Sequence, residues 1–323
     1  RDEKIFIRGS HRTPGAVAKR SFLDGLKHIQ SQPFQQGSGR LELARDIVHP
    51  DNPLTSRVIV NRIWHHLTGR GIVPTTDDFG VLGQRPTHPQ LLDWLASEFQ
   101  NDGGAIKKTI RRVMLSRTYQ MSSRPDDAEV EREDPNNEWL HRMRVRRLQG
   151  EAIRDSVLAI SGGLDRKQFG RPVPIHLTDF MEGRGRPKNN GPLDGAGRRS
   201  IYIEVRRNFL SPMMLAFDTP QPATTIGRRT ISNVPAQGLI MMNDPFVVEQ
   251  ANRWAEKVVA QPNGAGEQRL TRMYVSALGR PPTAEERIEG LAFLAELGGN
   301  DSVDAWAALC HVLFTLKECV FLN

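Results

Sequence analysis

Cysteines and aromatic residues are scarce in this 323-residue chain, which has two cysteines, three tyrosines and five tryptophans. Cys310 and Cys319 are nine residues apart in a predicted helix, so their Cα atoms would lie roughly 13 Å apart at about 1.5 Å per residue. A disulfide bond does not reach that far unless the helix ends between them. No CxxC or CxxCH pattern occurs. The pattern therefore excludes a zinc ribbon and a covalently attached c-type haem here.

Long apolar runs are missing as well. No window of 18 apolar residues is present, so no transmembrane helix is predicted. The opening residues, RDEKIFIRGSHRTPG, lack the apolar core of a signal peptide. We therefore expect this chain to be an excised portion of a longer protein, with any targeting signal further upstream.

What the chain does have is positive charge, with a formal net charge of +7. Arginine supplies most of it, and arginine pairs well with planar anions such as carboxylate, sulfate and phosphate. This composition favours an anionic partner: an acidic glycan, an acidic protein face or a nucleic acid. Nucleic acid is poorly supported, because no aromatic residues interleave with the arginines and no nucleic-acid motif occurs. The alternative is internal pairing with the 37 acidic residues.

Apolar residues recur mostly at helical spacing, which predicts a mainly α, compact multi-helix domain with long surface loops. We expect helices at 55–67, with Thr55 as N-cap, at 139–160 and through most of the last 80 residues, where Thr283 and Glu286 form a capping box. The segment 200–205 (SIYIEV) is the clearest strand candidate, which gives a small β element near 201–205.

The predicted organisation has an N-terminal arm and one helical domain. Residues 1–40 are irregular, with a short strand candidate in KIFIRG, and we expect them to pack on an upstream domain. Residues 41–323 form the helical domain. One option is two lobes, 41–160 and 200–323, joined by the loop 162–199, which is rich in glycine and proline.

The first candidate site lies in 52–80, where polar groups crowd a helical apolar stripe. Its acid–base candidates are His65, His66, Asp77 and Asp78, and its binding candidates are Arg62 and Arg70. On a helix Arg62 and His66 are i,i+4 neighbours, and a histidine beside a carboxylate can transfer protons. The alternative is a buried ion-paired clamp. No metal site is predicted, because neither HExxH nor an EF-hand pattern occurs.

Two further arginine groups are candidates for binding. In the predicted helix 139–160, Arg147, Glu151 and Arg154 form either an anion clamp with a carboxylate base or an ion-pair ladder. The remaining candidates flank the predicted strand or follow it: Arg199, Tyr202, Arg206, Arg207, Asn208, Arg228 and Arg229. Arginines at both ends of a strand beside a glycine-rich loop suggest a surface for a polyanion.

Several long motifs resemble one family. They are DNPLTSRVIVNRIWHHLTGRGIVPTTDDFG, PTHPQLLDWLASEF, SRTYQMSS, RRSIYIEVRRN and YVSALGRPPTAEE. The chain resembles the C-terminal domain of unknown function of planctomycete cytochrome-c-associated proteins, often called the first planctomycete-specific domain. The terminal LKECVFLN departs from the family, where an asparagine–glutamate–phenylalanine–tyrosine pattern is more usual.

The resemblance implies where the protein is located and which processes it accompanies, but it does not imply a reaction. It implies export to the periplasm or cell surface, near polysaccharide degradation or electron transfer. It also implies a fused or partner cytochrome c domain, which would carry any haem, since no cofactor is predicted in this chain. It supplies no catalytic residue.

Three functions remain open from the sequence. The first is an auxiliary module that binds an anionic glycan or an acidic protein through its arginines. The second is a carbohydrate-active enzyme that uses His65, His66, Asp77, Asp78 or Glu151 as acid–base groups. The third is a scaffold that docks a redox partner. Enzymatic activity is neither predicted nor excluded.

Overall fold

The structure is a computed structural model that describes residues 2–26, 29, 32–125, 127–261 and 266–322. Five residues of the predicted arm lie outside this description: 1, 27, 28, 30 and 31. The chain divides into two compact units, Arg1–Arg144 and Val145–Asn323, called unit 1 and unit 2 below. The long segment 162–199 lies within unit 2.

Unit 1 begins with an antiparallel hairpin of β1 (Glu3–Phe6) and β2 (Pro14–Ala18), whose side chains are mostly exposed. The strand predicted in KIFIRG is therefore present. Among the described residues of unit 1, five helices follow: α1 (Arg40–Ile47), α2 (Pro53–Thr68), α3 (Pro89–Asn101), α4 (Ile106–Met114) and α5 (Ala128–Glu133).

The core of unit 1 lies between α2, α3 and α4, and Val60, Trp64, Leu95 and Phe99 are among its buried side chains. Asn61 is fully buried in α2 and fastens the next loop to the helix. Its amide Oδ1 accepts a hydrogen bond from Val73 N–H at 2.8 Å, and its Nδ2 donates to Val73 C=O at 3.0 Å. The loop must be glycine at 71, because a Cβ there would lie 2.4 Å from the Val73 carbonyl oxygen.

Unit 2 contains two-residue strands β3 (Arg146–Arg147) and β4 (Phe321–Leu322), paired antiparallel, and eight helices in its described residues. The helices are α6 (Gly150–Ile160), α7 (Pro212–Ala216), α8 (Pro235–Asn243), α9 (Pro245–Ala260), α10 (Gly266–Leu278), α11 (Ala284–Glu296), α12 (Val303–Thr315) and α13 (Lys317–Val320).

The larger core is in unit 2, where α9 and α12 pack along each other with Trp254, Trp306 and Phe314 between them. The predicted capping box forms at the start of α11, where Thr283 and Glu286 exchange hydrogen bonds. Burial of these large apolar side chains is the main stabilising contribution, at about 25 cal/mol per Å². The packed core of unit 2 holds the ends of α6, α8 and α9 in place.

The prediction of a mainly α fold is confirmed, and two of its elements are corrected. The helix predicted at 139–160 begins at Gly150, because Leu140 has a positive φ of 60° and 146–147 pairs with β4. The strand predicted near 201–205 does not form. A 3-10 turn covers Ser200–Tyr202, and β pairing there is limited to isolated bridges such as Val173 with Ile203.

The two cysteines do not lie in one helix, although the sequence pattern predicted that they would. The helix that carries Cys310 ends at Thr315, and Cys319 lies in the short α13. Both thiols are free. Burial raises the pKa of Cys319 to about 11, so this thiol is a poor nucleophile at neutral pH. Among the described residues, no helix combines the length and the apolar character needed to cross a membrane.

Candidate functional site

Unit 2 contains a partly open cavity of about 960 Å³. Its walls come from the start of α6, the segments 174–182 and 203–215, and the junction of α8 and α9. Apolar side chains dominate, among them Ile175, Leu177, Phe209, Met213 and Phe246. A cavity of this size lies at the upper end of the usual range for ligand sites, roughly 300–1,000 Å³.

The wall made by 174–182 is ordered by backbone contacts rather than by regular secondary structure. The Asn190 amide accepts a hydrogen bond from Leu177 N–H at 2.6 Å, and Gly191 N–H donates to the Ile175 carbonyl at 2.9 Å. Any Cβ at Gly191 would lie 1.9 Å from the Pro174 carbonyl oxygen. The glycine is therefore required where the chain segments around 174 and 191 run this close, whereas the sequence pattern predicted only a long surface loop here.

Arg154 is a buried residue of the cavity wall, and its guanidinium group donates hydrogen bonds to backbone oxygens. Its Nη1 donates to the Arg198 carbonyl at 3.0 Å and to Ser200 Oγ at 3.1 Å, and its Nη2 donates to the Asp194 carbonyl at 2.6 Å. The guanidinium also lies 5.3 Å from the ring centroid of Phe246. Burial lowers the pKa of Arg154, opposed by nearby Asp155 and Asp194. These contacts make Arg154 a structural cation that fixes 194–200.

Glu151 stands one turn before Arg154 and is also ion-paired. Arg229 donates to its two carboxylate oxygens at 2.7 and 2.9 Å. Burial tends to raise the pKa of Glu151, but the hydrogen bonds from Arg229 outweigh it, and the net pKa is lowered. A carboxylate held in its ionised form is a poor general acid at neutral pH.

Sequence reasoning missed two titratable groups in the cavity wall, Asp244 and His176. Asp244 connects α8 to α9, and its Oδ1 accepts a hydrogen bond from Phe246 N–H at 2.9 Å. Burial raises the pKa of Asp244, whereas that hydrogen bond and nearby His176 lower it.

The Nδ1 of His176 lies 2.9 Å from the Gly191 carbonyl oxygen. Because a carbonyl only accepts, this nitrogen carries the proton and Nε2 is the acceptor in the neutral ring. The Asn–Asp–Pro sequence between two apolar helices was the available signal.

Most arginines predicted to form the anion surface are paired within unit 2. Arg199 lies 3.4 Å from Asp155, and Arg206 lies 2.6 Å from Glu204. Arg229 binds Glu151 as described, while Arg207, Asn208 and Arg228 have exposed side chains. Asn208 also lines the cavity. Five of the seven predicted residues are exposed, namely Arg199, Arg206, Arg207, Asn208 and Arg228, and ion pairing reduces the positive charge that Arg199 and Arg206 present.

Tyr202 has a structural contact in unit 2. Its hydroxyl oxygen accepts a hydrogen bond from Phe169 N–H at 2.9 Å, and the guanidinium of Arg198 stacks 4.3 Å from its ring centroid. The ring thus joins the two ends of the loop 169–202, which orders one side of the cavity wall.

Arg147 is the most deeply buried of the candidate arginines, with 4% of its side chain exposed. Its Nη2 donates to Asp218 at 2.5 Å, and its guanidinium lies 5.2 Å from the ring centroid of Phe217. Asp218 also accepts hydrogen bonds from the N–H and hydroxyl groups of Ser232. This network closes the loop 218–232 at its base.

The first candidate group lies in unit 1, on and after α2. His65 and His66 have ring centroids 5.4 Å apart, and Arg62 and His66 are exposed. Arg70 pairs with Glu138 at 2.8 Å. Asp77 is exposed, and the Asp78 carboxylate accepts the N–H of Gly80 within its own turn. The adjoining cavity measures about 10 Å³, which is room for roughly one water molecule.

Across the part of the chain that the structure describes, no three side chains of histidine, cysteine, aspartate or glutamate come together as a set of metal ligands. The candidate site that the geometry supports is the cavity of unit 2.

Comparison with protein families gives one match. The model of PSD1, described as protein of unknown function (DUF1553), matches residues 39–294. Comparisons with curated proteins and with solved structures give no match. The family match covers most of the chain, including helices of both units and the whole cavity wall. The chain therefore belongs to the PSD1 family of proteins of unknown function.

Proposed function

We propose that unit 2 is a binding module whose cavity holds an extended organic ligand. The observation that carries this proposal is the cavity of about 960 Å³ with mostly apolar walls and a few polar groups. A concavity of this size, partly open to solvent and bordered by loops that specific hydrogen bonds hold in place, is typical of a ligand site.

The surroundings of the cavity support a pre-formed site. Arg154 fixes the segment 194–200, and the Arg229–Glu151 pair fixes the loop 218–232 against α6. A pre-formed site loses less conformational entropy when a ligand binds than a flexible one does. The cavity is therefore built for binding with little rearrangement.

Binding of the neutral apolar dye Nile red tests the proposal. We expect saturable binding to the full chain, weakened at least about tenfold by Leu210→Trp, which places an indole in the cavity. Leu239→Trp is the matched control, because Leu239 is exposed on α8 and outside the cavity wall. Val205→Trp, at an exposed wall position, is a second blocking variant. No saturable binding, or equal binding to blocked and control variants, would overturn the proposal.

An anionic partner is a second candidate, supported by the exposed Arg207 beside cavity-lining Asn208. This proposal places an acidic protein face or an anionic glycan on the turn 206–209. Binding to arrays of neutral, carboxylated and sulfated glycans at two salt concentrations tests it. We expect salt-sensitive binding that Arg207→Ala weakens and Arg229→Ala, which removes an internally paired arginine, leaves largely intact. Binding that is insensitive to salt and to Arg207→Ala would overturn it.

The cellular setting is proposed from the motif resemblance alone. It favours export to the periplasm or cell surface, with a cytochrome c domain, fused or as a partner, that carries the haem. In that setting unit 2 would act as an auxiliary domain. Fractionation of the native organism with an antibody against this chain would test the location, and recovery in the cytoplasm would contradict it.

A further inference from the structure

We infer that the cavity of unit 2 selects a cationic ligand, an amine with an apolar body; this inference rests on the proposal that the cavity binds a ligand at all. It differs from the anionic partner suggested by the net charge of the chain. The reason is that the charge inside the cavity has the opposite sign to the charge of the whole molecule.

The charged side chains of the cavity wall are mostly acidic. Two carry basic groups, Arg154 and His176. The acidic ones are Glu151, Asp179, Glu182, Glu204 and Asp244. Asp179 and Glu182 are exposed, so solvent screens them, whereas Asp244 is partly buried, where a charge interacts more strongly with a bound ligand.

Two of these charges are cancelled by partners, and a third is partly offset. Glu151 pairs with Arg229, and Glu204 pairs with Arg206. Arg154 lies 3.5 Å from Asp155, a carboxylate that it shares with Arg199, and donates its hydrogen bonds to backbone oxygens and Ser200. Together these groups contribute between 0 and +1 to the charge of the cavity.

The balance is negative. The carboxylates of Asp179, Glu182 and Asp244 together give −3, and none of them forms an ion pair with any residue that the structure describes. His176 offsets this by at most +1, and only when protonated. With Arg154 only partly offset, the cavity therefore has a charge between −3 and −1 when Asp244 is ionised.

Asp244 is the acidic group placed deepest among apolar walls. It N-caps α9, so its own carboxylate already occupies the helix N-terminus that would otherwise attract an anion. Burial raises the pKa of Asp244, while its hydrogen bond from Phe246 N–H and nearby His176 lower it. A ligand ammonium group in the cavity would pair with this partly buried carboxylate.

The apolar walls also suit the body of such a ligand. Phe209 supplies an aromatic side chain, and Met213 and Met214 line the same side of the cavity. Aromatic faces attract cations, and methionine adapts to ligands of irregular shape. Arg154 stacks on Phe246, so the other aromatic side chains of the wall are Phe180 and Phe209.

Three probes of equal length and different charge test the inference: 4-phenylbutylamine, 4-phenylbutanol and 4-phenylbutyrate. Each competes with Nile red for the full chain at neutral pH. We expect the amine to bind about tenfold more tightly than the alcohol and the carboxylate to bind most weakly, as a nearby carboxylate contributes on the order of 1 kcal/mol.

Asp244→Asn is the decisive variant, because asparagine caps a helix as well as aspartate does and the fold is kept. We expect it to weaken amine binding about tenfold while leaving alcohol binding unchanged. The matched control is Asp304→Asn, an exposed aspartate in the first turn of α12. Glu182→Gln gives a second test at an exposed wall position.

The outcomes separate this inference from the proposed function. Equal binding of the three probes, or preference for the carboxylate, would overturn cation selectivity and leave the binding cavity standing. Displacement of the dye by none of them, together with failure of the Nile red test, would overturn both. Preference for the amine that Asp244→Asn does not reduce would overturn the assignment to Asp244.

Discussion

Arg229 and Glu151 form a two-point ion pair at the wall of the cavity, with N–O distances of 2.7 and 2.9 Å. The pair connects an exposed loop to the first turn of α6 and cancels a negative charge that would otherwise face the ligand. It thus joins one of the predicted binding arginines to one of the predicted catalytic acids. Their roles in the structure are to hold the loop and to neutralise each other.

Removing this arginine should raise the pKa of Glu151. In Arg229→Ala the carboxylate loses the hydrogen bonds that lower its pKa, while burial still raises it. Carboxyl ¹³C chemical shifts followed against pH measure the change. Arg207→Ala is the control, because Arg207 is exposed on another turn. An unchanged pKa of Glu151 in Arg229→Ala would show that the pair does not form in solution.

Replacing Arg154 by lysine should destabilise unit 2 although the charge is kept. A lysine ammonium cannot reach the Arg198 and Asp194 carbonyls and the Ser200 hydroxyl at the same time, so buried acceptors lose their donors. We expect a loss of roughly 2–4 kcal/mol in the free energy of unfolding, measured with urea. Arg207→Lys should change it by less than about 0.5 kcal/mol. Equal stability of the two variants would contradict this role.

Asn61 should be essential for the stability of unit 1. In Asn61→Leu the N–H and C=O groups of Val73 lose their partners in a buried position, which costs roughly 2–4 kcal/mol. Urea unfolding measures the loss, with Arg62→Ala as the control on the exposed face of the same helix. If Asn61→Leu is as stable as wild type, the loop 71–73 is held by other contacts.

The ion pairs around Arg280 should stabilise the fold in a pH-dependent way. Arg280 hydrogen-bonds both Glu286 and Glu318, and its hydrogen bonds hold the pKa of Glu286 at about 2, below the ordinary 4.5. This stabilisation is present above pH 4.5 and is lost as the pH falls towards 2. Arg280→Met should therefore lose about 1–2 kcal/mol at neutral pH and less at about pH 3.

A matched control separates this network from ordinary surface pairs. Arg287 pairs with Glu267, and both side chains are about half exposed. Arg287→Met should cost less than about 0.5 kcal/mol at either pH. The same loss for Arg280→Met at neutral and acidic pH would show that the loss comes from packing of the arginine side chain rather than from charge.

Local sequence signals predicted much of the helical frame. The apolar stripe of α2 and the capping box of α11 depend on residues three or four positions apart, and both are present. The N-cap of α2 was misplaced, because Thr55 bonds to the Ile47 carbonyl while Asn52 accepts the Leu54 N–H. Asn52 and Thr55 are both residue types that commonly cap helices, so the sequence alone did not distinguish them. Contacts with the end of α1 decide which of them caps α2.

The candidate site was much less predictable, because long-range contacts form it. Asp244 and His176 are 68 positions apart in the chain, and neither belongs to a known motif. The arginine clusters at 198–207 and 228–229 suggested an open anion-binding surface, yet Arg199 and Arg229 pair with acids of α6, and Arg206 pairs with Glu204 in its own segment. Composition gives the number of charges but does not indicate which of them are paired.

The most direct test of the binding cavity is methyl NMR of the full chain labelled with ¹³C at its nine methionines, titrated with Nile red. Met181, Met213 and Met214 line the cavity, whereas Met114 lies in unit 1 and Met242 is exposed on α8. The account predicts that the signals of the three cavity methionines shift together and saturate, while those of Met114 and Met242 stay in place. Shifts spread over the other methionines, or none at the three, would contradict a ligand site in unit 2.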